Sequence, residues 1–143
     1  SLYTTWSSSR KDSCTATRQN CDNKPETWNG KNVYLGKILK EAPPSKYIDK
    51  FQLLYRSFSP ERLDTCISNK RKCSNIYTGG VVEIGYVLKD PPPEKYEETI
   101  IPIYNTWSPS RADTCTSKSK GCDGQTSIYT GSSVLIGYIV KDN

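Results

Sequence analysis

The chain is predicted to be all-β, three copies of one block closing on a pseudo-threefold axis as a β-trefoil. Three observations carry that prediction. A unit of about 50 residues is written three times, each copy reads as short strands broken by turns, and no segment sustains a helical period. With 143 residues the chain is one domain over 1–143, with repeats 1–47, 48–96 and 97–143. Laid on the third copy, the first stays in register 101 residues apart without a gap, so that Tyr3 meets Tyr104, Trp28 meets Tyr129 and Gly36 meets Gly137. The middle copy follows the first at an offset of 52 as far as Cys73 and at 49 beyond it, because Ser74-Asn75-Ile76-Tyr77 is three residues shorter than its counterparts.

Each block begins with a β-branched and aromatic strand, Leu2 to Trp6 in the first copy, and turns at Ser7 to Lys11, where Pro60 and Pro109 enter the later copies. Strand alternation puts Tyr3 and Trp6 on opposite faces; Tyr3, Tyr55 and Tyr104 are expected in the core, and so, by a smaller margin, are Trp6, Phe58 and Trp107. A second strand carries Asp12 to Thr17, followed by a polar hairpin tip between paired cysteines. A short third strand is expected to end near Trp28, Tyr77 or Tyr129, each followed two residues later by Gly. In the fourth strand, period two places Val82, Ile84, Tyr86 and Leu88 on one core face, matched by Val134, Ile136, Tyr138 and Val140. Pro43-Pro44 and Pro91-Pro92-Pro93 stop these strands and mark the block boundaries.

Six cysteines fall as three Cys-x6-Cys pairs, one per repeat. Even, regular usage reads as disulfides in an oxidising compartment, so a secreted or extracellular protein is expected. A symmetric chain satisfies itself most simply by bonding each pair internally: Cys14 to Cys21, Cys66 to Cys73 and Cys115 to Cys122. Each closed loop is short, worth roughly 2 to 2.5 kcal/mol on a chain-entropy estimate. Zinc prefers closer pairs and often His, and the chain has no His, so no metal and no cofactor are expected. The absence of Met, at position 1 and throughout, is expected of a processed chain. Apolar content is 34% with no run long enough for a membrane span, and a formal charge of +5 is a mild bias that reads as a solvated exterior. Neither nucleic acid nor membrane insertion is expected.

Catalysis has the poorer case, with no His for acid or base work, no free thiol and no phosphate loop. Binding explains threefold repetition better. A sugar needs an apolar surface for its C–H face, a carboxylate to accept from vicinal hydroxyls and further polar donors. Trp6, Arg10 and Asp12 supply those types, Trp107, Arg111 and Asp113 supply them again, and Arg62 and Asp64 follow Phe58 in the middle copy. Trp28, Tyr77 and Tyr129, each beside a Gly turn, are candidate platforms. The same Arg-x-Asp also reads as an ordinary turn clamp, reused wherever the backbone is reused, and both readings stand. The basic tips, with Arg18, Lys70 to Lys72, Lys118 and Lys120, read as solvated.

In size, paired cysteines and threefold internal homology the whole chain resembles secreted β-trefoil lectins, and is similar to the galactose-binding lectins of marine sponges of the Axinella type. The Gln-x-Trp signature of ricin-type lectins is missing, since Gln19, Gln52 and Gln125 have no Trp two residues on. The resemblance implies galactose-type specificity, agglutination and a homodimer, with galactose-containing glycans of glycoproteins or cell surfaces as partners. The middle unit, with Phe58 for Trp and a trimmed loop, is expected to bind more weakly or differently. A trefoil protease inhibitor presenting Lys70-Arg71-Lys72, or a binder of anionic polysaccharide, are the alternatives.

Overall fold

The computed structural model describes residues 1–141, so the last two residues of repeat three lie outside it. Nine strands form among the described residues: β1 (Leu2–Ser7), β2 (Asp12–Ala16), β3 (Asn32–Gly36), β4 (Phe51–Ser59), β5 (Asp64–Ser68), β6 (Val81–Leu88), β7 (Ile100–Ser108), β8 (Asp113–Ser117) and β9 (Ser133–Val140). Each repeat therefore gives three strands, not the four expected. The segment before Trp28, Tyr77 and Tyr129 is a turn, in which Trp28, Tyr77 and Tyr129 donate their N–H groups to Lys24, Ser74 and Gln125 carbonyls.

The same three-stranded antiparallel unit recurs with its middle strand first in sequence: β2-β1-β3, β5-β4-β6 and β8-β7-β9. Registers repeat as well, with Thr5 opposite Cys14, Ser57 opposite Cys66 and Thr106 opposite Cys115. The second and third units join through the pairing of Leu88 with Tyr138 into one six-stranded sheet, and both sheets are open. Bridges from Lys37 to Val140 and from Leu39 to Tyr86 tie the first unit to the other two. The strand ends of the three repeats thus meet one another in a cycle, as the internal symmetry demands. Short 3-10 turns at Ile48–Lys50 and Glu94–Tyr96 follow the proline stops.

One core holds the units together, and it is built from symmetry-related sets: Leu2, Leu54 and Ile103; Leu35, Ile84 and Ile136; and Val87 and Ile139 with the partly buried Ile38. Burying a side chain of this size is worth about 1.5 to 3 kcal/mol. The unbroken period-two face expected for β6 and β9 is corrected here. Pairing slips by one residue between Leu54 and Tyr55 and between Ile103 and Tyr104, so Ile84 and Ile136 are extra residues in a bulge. After the bulge the parity reverses: Val87 and Ile139 are buried, while Tyr86, Leu88 and Tyr138 are half-buried and Val82, Val134 and Val140 are exposed. The glycine in each bulge is required. Gly36, Gly85 and Gly137 have φ near +150°, and a Cβ on the first two would come within 2.6 and 2.5 Å of carbonyl oxygens of the neighbouring repeat.

Tyr3, Tyr55 and Tyr104 are also corrected. They are half-buried, Tyr3 with its ring 5.4 Å from that of Tyr34, because the adjacent Leu2, Leu54 and Ile103 take the core positions. Trp6, Phe58 and Trp107 are likewise half-buried rather than core. The three disulfides pair as expected, Cys14–Cys21, Cys66–Cys73 and Cys115–Cys122. The expected simple hairpin tips are replaced in the outer repeats by left-handed turns through Asn20, Cys21, Asp22 and Asn23 and through Gly121, Cys122, Asp123 and Gly124. The middle repeat, three residues shorter, lacks this turn among the described residues. No helix among the described residues is long and apolar enough to cross a membrane.

Candidate binding groove between repeats

The turn that carries each Arg is fixed by a serine. The hydroxyls of Ser7, Ser59 and Ser108 accept from the backbone N–H groups of Arg10, Arg62 and Arg111 at 3.2, 3.1 and 3.2 Å. Ser7 and Ser108 donate in turn to the carbonyls of Thr27 and Ile128. Lys11, Leu63 and Ala112 then adopt positive φ and deliver Asp12, Asp64 and Asp113 inward.

All three carboxylates are fully buried, and each is spent on the next repeat. Asp12 accepts from the Thr65 N–H and hydroxyl at 3.1 and 2.6 Å, Asp64 from those of Thr114 at 2.9 and 2.7 Å, and Asp113 from those of Ser13 at 2.9 and 3.0 Å. Tyr77 and Tyr129 add phenolic donors to Asp64 and Asp113 at 2.7 and 2.6 Å. Oxygens of the three carboxyls lie within 4.8 Å of one another. Burial pushes the Asp12 carboxyl up to about 9; the Thr65 hydroxyl opposes this, while the bond with Asp113 and the charges of Asp64 and Asp113 add to it. Burial likewise raises Asp113. Burial and the bond to Asp64 push the Tyr77 phenol up to about 12, and Tyr129 rises above the usual phenol range for the same reasons.

Of the two readings of Arg-x-Asp, the clamp is the one the geometry gives, and it works between repeats rather than within a turn. The expectation that Asp12, Asp64 and Asp113 accept from a sugar is corrected: no glycan hydroxyl reaches a carboxylate without solvent access. Trp28, Tyr77 and Tyr129 are corrected with them, since they are at most 4% exposed and belong to the interior.

The guanidiniums repeat the cyclic order outside. Arg10 lies over Phe58 at 4.9 Å, Arg62 over Trp107 at 4.6 Å and Arg111 over Trp6 at 5.1 Å, so each exposed Arg covers the aromatic ring of the following repeat. Behind each ring its backbone is gripped as well. The carbonyls of Trp6, Phe58 and Trp107 accept from Gly30, Gly79 and Gly131, where a Cβ would come within 2.8 Å of the oxygen.

Grooves run along these inter-repeat seams, and they are unequal. Between repeats one and two a groove of about 220 Å³ is lined by Arg10, Trp28, Arg56, Phe58, Thr65 and Val82, among others. The equivalent groove between repeats two and three is about 400 Å³, with Arg62, Tyr77, Asn105, Trp107, Thr114 and Val134 in the matching places. Two differences open it. In the first seam the buried Arg56 donates to the Thr15 carbonyl at 2.9 Å and pairs with Asp22 on the left-handed turn at 3.1 Å, so that loop and strand close over the groove. In the second seam Asn105 replaces Arg56 and donates to the equivalent Ile67 carbonyl, while the trimmed loop puts Ser74 where Asp22 would stand.

The wider groove combines a half-buried Trp107 with Ser68, Asn69, Ser74, Asn105 and Ser132 and with the apolar Val134 and Leu135. Of the residues singled out in the sequence, Arg62, Tyr77 and Trp107 line it; Arg10 and Trp28 line the narrower one. Asn69, Asn105 and Ser132 were missed, although Asn105 is the position where the aligned repeats carry Thr4, Arg56 and Asn105 in turn. A broader polar recess of about 520 Å³ near Ser1, Tyr3, Arg18 and Gln19 offers one aromatic ring, that of Tyr3. Compared with known proteins, the chain matches no family model, no curated protein and no solved structure.

Proposed function

We propose that the chain is a non-catalytic carbohydrate-binding protein on the β-trefoil plan, taking galactose-type glycans in the groove between repeats two and three. The observation that carries this reading is the groove itself: an indole with apolar neighbours for a sugar's C–H face, rimmed by amide and hydroxyl groups for its hydroxyls. The threefold repeat supports a trefoil, and three disulfides support export to an oxidising compartment. Agglutination follows from pairing chains into a homodimer, which presents two grooves to one cell surface at high effective concentration.

A Tyr at the exposed position 132 fills the groove without entering the core. Ser132→Tyr is expected to remove calorimetric binding of galactose-terminated glycans while leaving Tm within about 2 °C of the parent, a surface-substitution effect. Undiminished binding would place the sugar elsewhere.

A further inference from the structure

Among the described residues, no Asp or Glu lines the groove between repeats two and three. Asp64 and Asp113, beside lining residues in the sequence, are buried and spent on the adjoining repeats, and the exposed Glu61 next to Arg62 forms no ion pair with it among the described residues. A neutral sugar is commonly held by a carboxylate that accepts from its hydroxyls, and this groove provides amide and hydroxyl oxygens only. Its charged lining residue is a cation. Arg62 lies over Trp107, its guanidinium carbon 4.6 Å from the ring centre, exposed, and no carboxylate stands within ion-pair distance of it among the described residues. Asn69 in the lining is followed by Lys70, Arg71 and Lys72, all exposed, with Arg71 over the Tyr55 ring. The narrower groove is likewise lined by no Asp or Glu among the described residues, and of its cations Arg10, Lys24 and Arg56 the last is paired with Asp22.

We propose that the saccharide taken by this groove carries an anionic group, a sulfate ester or a carboxylate, seated against Arg62. This rests on the assignment of the groove as the glycan site and adds the chemical class of its occupant. A planar guanidinium already oriented by a ring offers paired N–H donors to two oxygens of such a group. Lys70 to Lys72 extend the positive field along the approach, so binding weakens as salt screens it.

The experiment titrates the full chain with matched galactose-terminated oligosaccharides that are neutral, sulfated or sialylated. At about 0.15 M salt the anionic probes are expected to bind at least about tenfold more tightly than the neutral one, and the gap is expected to narrow toward 1 M. A larger gap for the sulfated probe assigns sulfate, and for the sialylated probe carboxylate. Arg62→Gln is expected to erase the preference, and Lys89→Gln, an equal loss of charge at an exposed site outside the groove, to preserve it. Should Arg62→Gln lower Tm, the double variant Lys70→Gln/Lys72→Gln is expected to flatten the salt dependence in a folded chain. Equal affinity for neutral and anionic probes overturns the anionic assignment while leaving the glycan groove in place; no binding of any probe overturns both.

Discussion

Asp64→Ala is expected to lower Tm by more than about 10 °C or to prevent folding. The carboxylate accepts from three buried donors, the Thr114 N–H, the Thr114 hydroxyl and the Tyr77 phenol. Alanine leaves all three without a partner in a site that water does not reach. At roughly 1 to 3 kcal/mol for each orphaned donor, the loss is on the order of 4 kcal/mol or more, a large part of the stability of an ordinary domain. Asp12→Asn is expected to cost far less, a few degrees at most. Asp12 accepts from Thr65 alone among the next repeat's groups and is held protonated at neutral pH, so an amide reproduces both its shape and its neutrality. Thermal unfolding by circular dichroism reads both variants, and equal losses would contradict the cyclic clamp.

The same ring sets an unusual dependence on pH. Folded Asp12 titrates at about 9 against an ordinary 3.8, so the folded state holds a proton that the unfolded chain releases. Its stabilising effect is complete below the unfolded value and is lost as pH rises through the folded one. Asp113, raised by the same burial, acts in the same direction. Stability is therefore expected to fall as pH rises from 5 to 9, with Asp12 contributing to the decline. Above pH 10 the raised Tyr77 and Tyr129 phenols extend the decline. Denaturant midpoints across that range measure it, and Asp12→Asn should flatten the slope. A midpoint that rises toward pH 9 would show that the ring is not protonated.

Much of this fold was legible because it is local or repeated. The cysteine pairs close within seven residues, the turn serines act on residues three positions away, and the proline stops work on their own strand. Misreadings arose where a local rule was broken by a partner in another repeat. Period two failed at Ile84 because Gly85 lets the backbone approach the Leu39 carbonyl, and a glycine inside an apolar strand was the available sign of that bulge. Arg-x-Asp after a turn looked like surface chemistry. Burying Asp12 requires the N–H and hydroxyl of Thr65, 53 residues on, and nothing near Asp12 announces them. Tyr77 and Tyr129 were misplaced with it, because a phenol beside a Gly turn reads as exposed until its carboxylate partner is known, and Trp28 because its packing against Cys14, Ala16 and Cys21 is not visible in the sequence. The groove was half-visible: the trimmed loop and the odd Asn105 stand in the sequence, but that they face each other across one seam does not.

The carboxylates of the repeated unit serve as structure, and the proposed ligand site uses Arg62 and Trp107 in the seam where the repeats differ. Closing that seam separates the two roles. Residues 74–76 are replaced by the six residues 22–27 of the first repeat, and Asn105→Arg restores the counterpart of Arg56, so that the introduced guanidinium and the grafted carboxylate can pair as Arg56 and Asp22 do. Calorimetric titration of this folded variant with galactose-terminated glycans, neutral and anionic, is expected to show no binding. Binding at the parent's affinity would remove the ligand from this seam and return it to the repeated unit or to another surface.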